Sequence, residues 1–359
     1  MQDITSLRNG IDQIDDQILQ LLVNRMNLVD EIGKLKRDSN TAIYHPDREK
    51  EIIERLASKN TGRLSKTAIE AIYLEIFGVS RNLELPEIIS FLGPDGSFTH
   101  QAAENRFGAV ADYISLPSIQ SVFDSVETGR AKYGVIPIEN NQEGMVKETL
   151  DILFEKNVFI ISEIIIPVNF CIASKLGNIH HITKIYSKDI AFNQCTKFLS
   201  DYFGSKEEGF FVQVDSTSKA AQLAEKEEGA AALCSHIAAK INHLPILFDN
   251  IQDSDSNHTR FYIISKQVNL KKTNKDKTSI AVKLKNDDKP GALVDLLKEF
   301  QAKNINLLKI ESRPIKQIYD FKFWFFMDLE GNYLDETIQE IISRRGDEIK
   351  FLGSYMNLC

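Results

Sequence analysis

Residues 250–261 read Asn-Ile-Gln-Asp-Ser-Asp-Ser-Asn-His-Thr-Arg-Phe, NIQDSDSNHTRF. This polar run lies between two apolar segments, 244–248 and 261–264, the pattern of a loop held by two strands. Loops carried on a rigid sheet concentrate binding and chemistry, although a plain solvated turn has the same composition, as 253–256 does here. Upstream, short apolar runs alternate with helical stretches. Strands are expected at 89–92, 133–138, 158–173, 185–187, 210–214, 230–234 and 261–264, and helices at 101–107, 119–127, 147–154, 191–203, 218–226 and 235–241. That alternation is α/β, with ligands expected at strand ends.

Before residue 86 the period changes. Apolar residues fall at Ile4, Leu7, Ile11, Ile14, Ile18, Leu21, Leu28, Ile32 and Leu35, three and four apart, which predicts one long helix. About 32 residues at roughly 1.5 Å each give roughly 48 Å. The short remainder of this segment cannot cover that length, so a partner helix from a second chain is expected. The seam position at 25 is filled by Arg25, and Arg8 and Lys36 stand beside seam positions. Cations aimed at an interior require anions, or else they are snorkelling or ion-paired residues on ordinary helices. A second helix starts near Pro46 and carries Arg48 and Glu49. A third shows Ile69, Ile72, Tyr73, Ile76 and Phe77 on one face, continued by Ser80 and Glu84.

After the loop, residues 266–277 are polar with five lysines and read as a linker. Then come a strand at 279–284, a helix at 290–303, strands at 305–312 and 319–328, a helix at 335–345 and a strand at 349–355. The order βαββαβ is that of a ferredoxin-like sandwich.

The whole chain has 359 residues, 43% hydrophobic and 26% charged, enough for two or three domains. A formal charge of -8 argues against a general nucleic-acid or membrane surface, while local cations could still hold acidic metabolites. Cys171, Cys195, Cys234 and Cys359 lie far apart without metal-ligand spacing, which fits a reducing cytoplasm. The first residues lack an apolar signal core, and the run 158–173 is broken by Ser162, Glu163, Pro167 and Asn169, so no membrane span is expected.

The stretch LRNGIDQIDDQILQLLVNRMNLVDEIGKLK, followed by IYHPDREKEIIERL, resembles the all-helical chorismate mutase of bifunctional phenylalanine-pathway proteins. The resemblance implies an intertwined dimer in which Arg8 reaches the partner's site, while Arg25, Lys36, Arg48, Glu49, Ser80 and Glu84 line the site of their own subunit. The chemistry agrees. Chorismate rearrangement is pericyclic and needs no nucleophile or metal, only cations on two carboxylates and a donor to the ether oxygen. Arg8 and Arg25 suit the carboxylates, and Lys36 suits the ether side. Glu84 stands where relatives carry Gln, and a carboxyl donates only while protonated.

FLGPDGSFTHQAA, YGVIPIENNQEG, YSKDIAFNQCTKFL and NIQDSDSNHTRF, in this order, resemble prephenate dehydratase, which folds as two periplasmic-binding-protein-like α/β lobes around a cleft. Matching motif positions makes Asn140, Gln194 and Thr259 the catalytic residues of the cleft, with Ser97, Thr99, Arg260 and Phe261 at the substrate. Asn141 departs from the Ser or Thr of relatives, and Lys188-Asp189-Ile190 replaces His-Pro-Gln. KPGALVDLLKEF and NLLKIESRP resemble the ACT regulatory domain. They imply L-phenylalanine as an allosteric effector between paired domains, with Gly291, Ala292, Leu293, Val294, Glu311, Ser312, Arg313 and Pro314 at its site. Glu311 or Arg313 would serve the effector's zwitterion or the interface.

The implied division is 1–86 mutase, 88–265 dehydratase, 266–277 linker and 278–359 ACT domain. The implied activity takes chorismate through prephenate to phenylpyruvate in a cytoplasmic homodimer or higher homo-oligomer, with no cofactor required. An arogenate-using dehydratase and a non-catalytic two-lobed amino-acid sensor are the alternatives.

Overall fold

The computed structural model describes residues 3–39, 46–84, 87–204, 208–268, 271–273, 275–285, 290–315 and 322–358. Contacts divide the chain into two units, 1–87 with 104–112, and 88–103 with 113–359. In the first unit, α1 (Ile4–Ser39) is the single long helix that the spacing predicts, followed by α2 (Pro46–Lys59) and α3 (Lys66–Glu84). Val29, Ile69 and Phe77 are buried there, but the nine apolar seam residues of α1 are each between 46% and 70% exposed. That stripe is therefore largely exposed among the described residues.

The second unit opens with a lobe of β1 (Ile88–Leu92), α4 (Phe98–Phe107, of which 98–103 belong to this unit), β2 (Asp112–Leu116, of which 113–116 do), α5 (Ile119–Glu127), β3 (Tyr133–Asn140), β4 (Gly144–Met145), α6 (Lys147–Glu155) and β5 (Phe159–Pro167). A second lobe holds β6 (Cys171–Ala173), β7 (Lys184–Ser187), α7 (Asp189–Gln194), α8 (Thr196–Phe203), β8 (Phe211–Gln213), α9 (Thr217–Lys226), β9 (Ala230–Cys234), α10 (His236–Ile241) and β10 (Ile246–Phe248). Then β11 (His258–Ser265) returns to the first lobe, between β3 and β5. The sheet orders are β2-β1-β3-β11-β5, with β4 on β3, and β10-β6-β9-β7-β8.

Two expectations for the lobes change. The apolar run 158–173 is two strands in two different sheets, because Pro167 has no N–H to extend the ladder and the chain crosses between lobes just after it. The helix expected over 191–203 breaks at Cys195, where φ is -126° and ψ is 27°.

The C-terminal part comprises β12 (Asp276–Val282), α11 (Ala292–Ala302), β13 (Leu307–Pro314), β14 (Phe323–Glu330), α12 (Glu336–Arg345) and β15 (Ile349–Met356), with sheet order β13-β14-β12-β15. This is the βαββαβ pattern read from the sequence. The stretch read as linker ends earlier than expected, since β12 already includes Asp276 and Lys277. Lys277 is 2% exposed, with its Nζ 2.7 Å from Glu163 Oε2 and 3.7 Å from Asp328 Oδ2. Burial holds the Asp328 carboxyl above its usual pKa, and Lys277 opposes that shift.

This C-terminal sheet shares a core with the first lobe. Ala281, Trp324, Phe326, Leu352 and Tyr355 pack in one cluster with Ile136, Ile138, Leu150, Leu153 and Tyr262. Phe154 stacks on Trp324 at 4.7 Å, and Arg313 grips Asp151 of α6 through two bonds of 2.9 Å. Lys350 donates to the carbonyls of Leu153, Phe154 and Lys156 at the end of α6, where a cation complements the helix dipole. Helix α6 is thus clamped along its length.

Candidate active sites

In the helical unit, α1 and α3 bring together two of the seven residues expected there. The Arg25 guanidinium donates to the Ser80 hydroxyl and lies 5.8 Å from the centre of the Phe77 ring, while Ser80 donates to the Ile76 carbonyl at 2.6 Å. Glu49 is held by Arg81, with Arg106 3.9 Å away. Arg81, 8% exposed, also donates to the Phe107 carbonyl at 2.8 Å. Nothing in the spacing singled Arg81 out, because it follows Ser80 off the apolar stripe. Arg48 is exposed and pairs with Glu51 at 3.2 Å, and Arg8 is exposed. The side chains of Lys36 and Glu84 lie outside the described residues.

Between the lobes of the second unit is a cavity of about 280 Å³, near the lower end of small-molecule sites. Asn140 and Thr259 face it from neighbouring strands, at paired positions of β3 and β11. Gln194 faces it from the end of α7. Asn257, which the motif reading did not single out, joins them. The donor directions follow from groups that can only donate. The amides of Gln142 and Glu143 donate to Asn140 Oδ1 at 2.9 and 3.1 Å, so the Asn140 NH₂ must face the other way. It donates to Thr259 Oγ1 at 2.9 Å and to Asn257 Oδ1 at 2.8 Å. The Asn257 NH₂ then donates to Gln194 Oε1 at 3.2 Å. Thr259 accepts from Asn140, and among the described residues neither its proton nor the Gln194 NH₂ has an acceptor, which leaves two donors for the cleft.

Of the other expected substrate residues, Ser97 lines the cavity, and its hydroxyl caps α4 by accepting the His100 N–H at 3.2 Å. Thr99, 6% exposed, is not among the lining residues. Nor are Arg260 and Phe261, which corrects their assignment. Strand alternation turns Arg260 away from Thr259, toward Glu139 at 3.6 Å and Glu163 at 3.8 Å, and Phe261 is 1% exposed.

The segment 253–256 is more than solvated loop. Both Asp253 carboxylate oxygens accept amides at the start of α8, Thr196 and Lys197, each at 3.0 Å, and the Asp253 N–H donates to the Gln194 carbonyl at 2.7 Å. Asp253 therefore fixes the backbone of Gln194 across the helix break. Burial, then the Asp253 charge, pushes the Cys195 thiol up to about 12, so this cysteine beside Gln194 stays protonated. The signal for Asp253 was an acid in a polar run, which composition does not distinguish from a turn. Asn141 ties the same segment to β3 by donating to the Ser256 carbonyl, and it accepts the His258 N–H at 2.9 Å.

Residues 7–85 match the family model for chorismate mutase type II, and residues 89–269 match that for prephenate dehydratase. A bifunctional chorismate mutase/prephenate dehydratase from Aquifex aeolicus is 41% identical, over 99% of this chain and 98% of that relative. The chain belongs to the bifunctional chorismate mutase/prephenate dehydratase family. The corresponding protein of Pseudomonas aeruginosa is 32% identical over 98% of this chain and 97% of its own length. A solved prephenate dehydratase from Arthrobacter aurescens, in complex with L-Phe, is 29% identical with a TM-score of 0.66, covering 75% of this chain and 90% of that one. The protein is thus an enzyme of phenylalanine biosynthesis with mutase and dehydratase activities, and its substrates are chorismate and prephenate. This sets aside the non-catalytic sensor.

If Asp253 positions Gln194, Asp253→Ala lowers dehydratase kcat/KM by about a hundredfold, the scale of a misplaced catalytic group. Mutase turnover of the same preparation stays at the wild-type rate. Steady-state assays with each substrate check this, and undiminished dehydration would exclude the role.

Proposed function

We propose that Thr259, Asn140 and Gln194 carry out dehydration in the cleft between the lobes. The observation that carries this reading is the Asn140 to Thr259 hydrogen bond at 2.9 Å inside that cavity. Prephenate loses carbon dioxide and its ring hydroxyl in one direction, driven by aromatisation, so the enzyme's task is to orient it and assist the departing oxygen. Thr259 is a poor acid, but its free proton can hydrogen-bond to the leaving hydroxyl. The Gln194 NH₂ is a second neutral donor. Thr259→Ala is expected to reduce dehydration by two or more orders of magnitude, roughly the loss of one oriented donor to a developing charge. Prephenate turnover within a few-fold of wild type, with the mutase intact, would sink the assignment.

Mutase chemistry is assigned to Arg25, oriented by Ser80, with Lys36, Arg48, Glu49 and Glu84 in the same subunit and Arg8 from a partner. The uncovered stripe of α1 supports a homodimer, because a second copy of the same helix would bury it. Ile18→Glu should dissociate the oligomer in sedimentation velocity and lower mutase kcat/KM at least about tenfold, while dehydration continues. A wild-type monomer with full mutase activity would exclude the shared site.

The C-terminal βαββαβ part is read as an ACT domain through which L-phenylalanine inhibits, within the division 1–86, 88–265, 266–277 and 278–359. Gly291, at φ +93°, begins α11 with the GALV residues Gly291, Ala292, Leu293 and Val294, and β13 is an edge strand that carries Glu311, Ser312, Arg313 and Pro314. Leu308 and Ile310 are exposed on that strand, which supports paired domains. Arg313 is engaged by Asp151, so Glu311 is left to serve the zwitterion. Lys309 Nζ lies 2.6 Å from Glu139, the residue before Asn140, and this contact supports a route to the cleft. The buried free thiols of Cys171, Cys195 and Cys234 support a cytoplasmic setting. Calorimetric titration with L-phenylalanine should give saturable heat and parallel inhibition of dehydration; absence of both would leave a purely structural module.

A further inference from the structure

One wall of the cleft is built from residues that the motifs do not account for. Helix α9 begins there, and Asp215, Ser216, Thr217 and Ser218 all line the cavity. Ser216 caps the helix, its hydroxyl accepting the Lys219 N–H at 3.0 Å. By helix geometry the N–H groups of Thr217 and Ser218 have no acceptor within the helix. Ser218 is 1% exposed, and among the described residues its hydroxyl has no hydrogen-bond partner. A buried hydroxyl left unpartnered is costly, which points to a ligand as its missing partner. Gly96 stands beside it at φ +82°, where a Cβ would come 3.3 Å from the Ser218 oxygen, so glycine keeps this corner open. Lys188 lines the same cleft, with the exposed carboxylate of Asp215 at its edge.

We propose that the start of α9, with the Ser218 hydroxyl, is the subsite for the side-chain carboxylate of prephenate. This rests on the reading of the cleft as the dehydration site. Two amides, a hydroxyl and the positive end of a helix dipole select an anion. Prephenate offers two carboxylates with different fates. The ring carboxylate leaves as carbon dioxide; the electron pair of its bond to the ring becomes a ring double bond as the hydroxyl departs with the pair of its own bond and gains a proton to become water. An anchor on that carboxylate would stabilise the ground state more than the transition state, in which its charge is leaving, and would slow the reaction. The side-chain carboxylate keeps its charge throughout and is still present in phenylpyruvate. A contact to it is uniform binding, which appears in KM and not in kcat.

The test compares the full-length protein with Ser218→Ala, measuring prephenate kcat and KM, phenylpyruvate Ki as a product inhibitor, mutase turnover and melting temperature. KM and Ki should rise together by about tenfold, the loss of one hydrogen bond to a charged group, with kcat within about twofold. The melting temperature should not fall, because alanine deletes a hydroxyl that has no partner. A Ki that stays at the wild-type value overturns the proposal, and a fall in kcat with unmoved KM and Ki would reassign the hydroxyl to the leaving groups. Thr259→Ala run in parallel separates the two levels. Lost turnover there, with unmoved KM and Ki in Ser218→Ala, removes the subsite alone; full turnover in both variants removes the cleft reading with it.

Discussion

The dehydratase part depends on the pairing of the two segments that cross between its lobes. Val168 donates to the Asn257 carbonyl at 2.8 Å, Ile251 donates to the Phe170 carbonyl at 3.1 Å, and the Gln252 side chain accepts the Phe170 N–H at 3.2 Å. These bonds satisfy backbone that would otherwise run unpaired between two sheets. They also set where each lobe presents its polar side chains. Thr259 follows the crossing on the first lobe, Asp253 within it holds the start of α8, and Asn257 at its end reaches Gln194. Cleft geometry is therefore a consequence of how two short stretches pair.

A second constraint is charge buried between the first lobe and the C-terminal sheet. Glu163, 1% exposed, receives Lys277 at 2.7 Å, and the Leu358 N–H donates to its other oxygen at 3.0 Å. Removing one partner from such a cluster typically costs about 3–5 kcal/mol, since the remaining charge stays buried. The cluster continues through Arg260 to Glu139 and from there to Lys309. Arg260 thus links β11, the strand that carries Thr259, to Glu139 and Glu163, because it lies on the opposite face of β11 from Thr259.

Much was legible in the chain before any coordinates. The three-and-four spacing of α1, the alternation of strands and helices after residue 86 and the βαββαβ order each reflect local periodicity, and periodicity is a property of sequence alone. Asn140, Gln194 and Thr259 were legible through motifs, and the cavity brings those three together. What misled was polar composition. Lys277 in a lysine-rich stretch and Asp253 in a serine-rich one look like solvated residues, yet one is a buried ion and the other a helix cap.

The sequence by itself determined the elements, their order and the residue types available for chemistry, because backbone propensity and apolar period act over a few neighbours. Only the tertiary structure decided that 158–173 divides between two sheets, that Arg260 turns from the cleft and that Asn257 and Ser218 face it. Each of these depends on which distant segment pairs with which. That choice is made by long-range hydrogen bonds and burial, and no local pattern encodes it. The loop 250–257 joins the two levels: its polarity is written in the chain, and its function as the bond between lobes exists only once residues 168–170 lie against it.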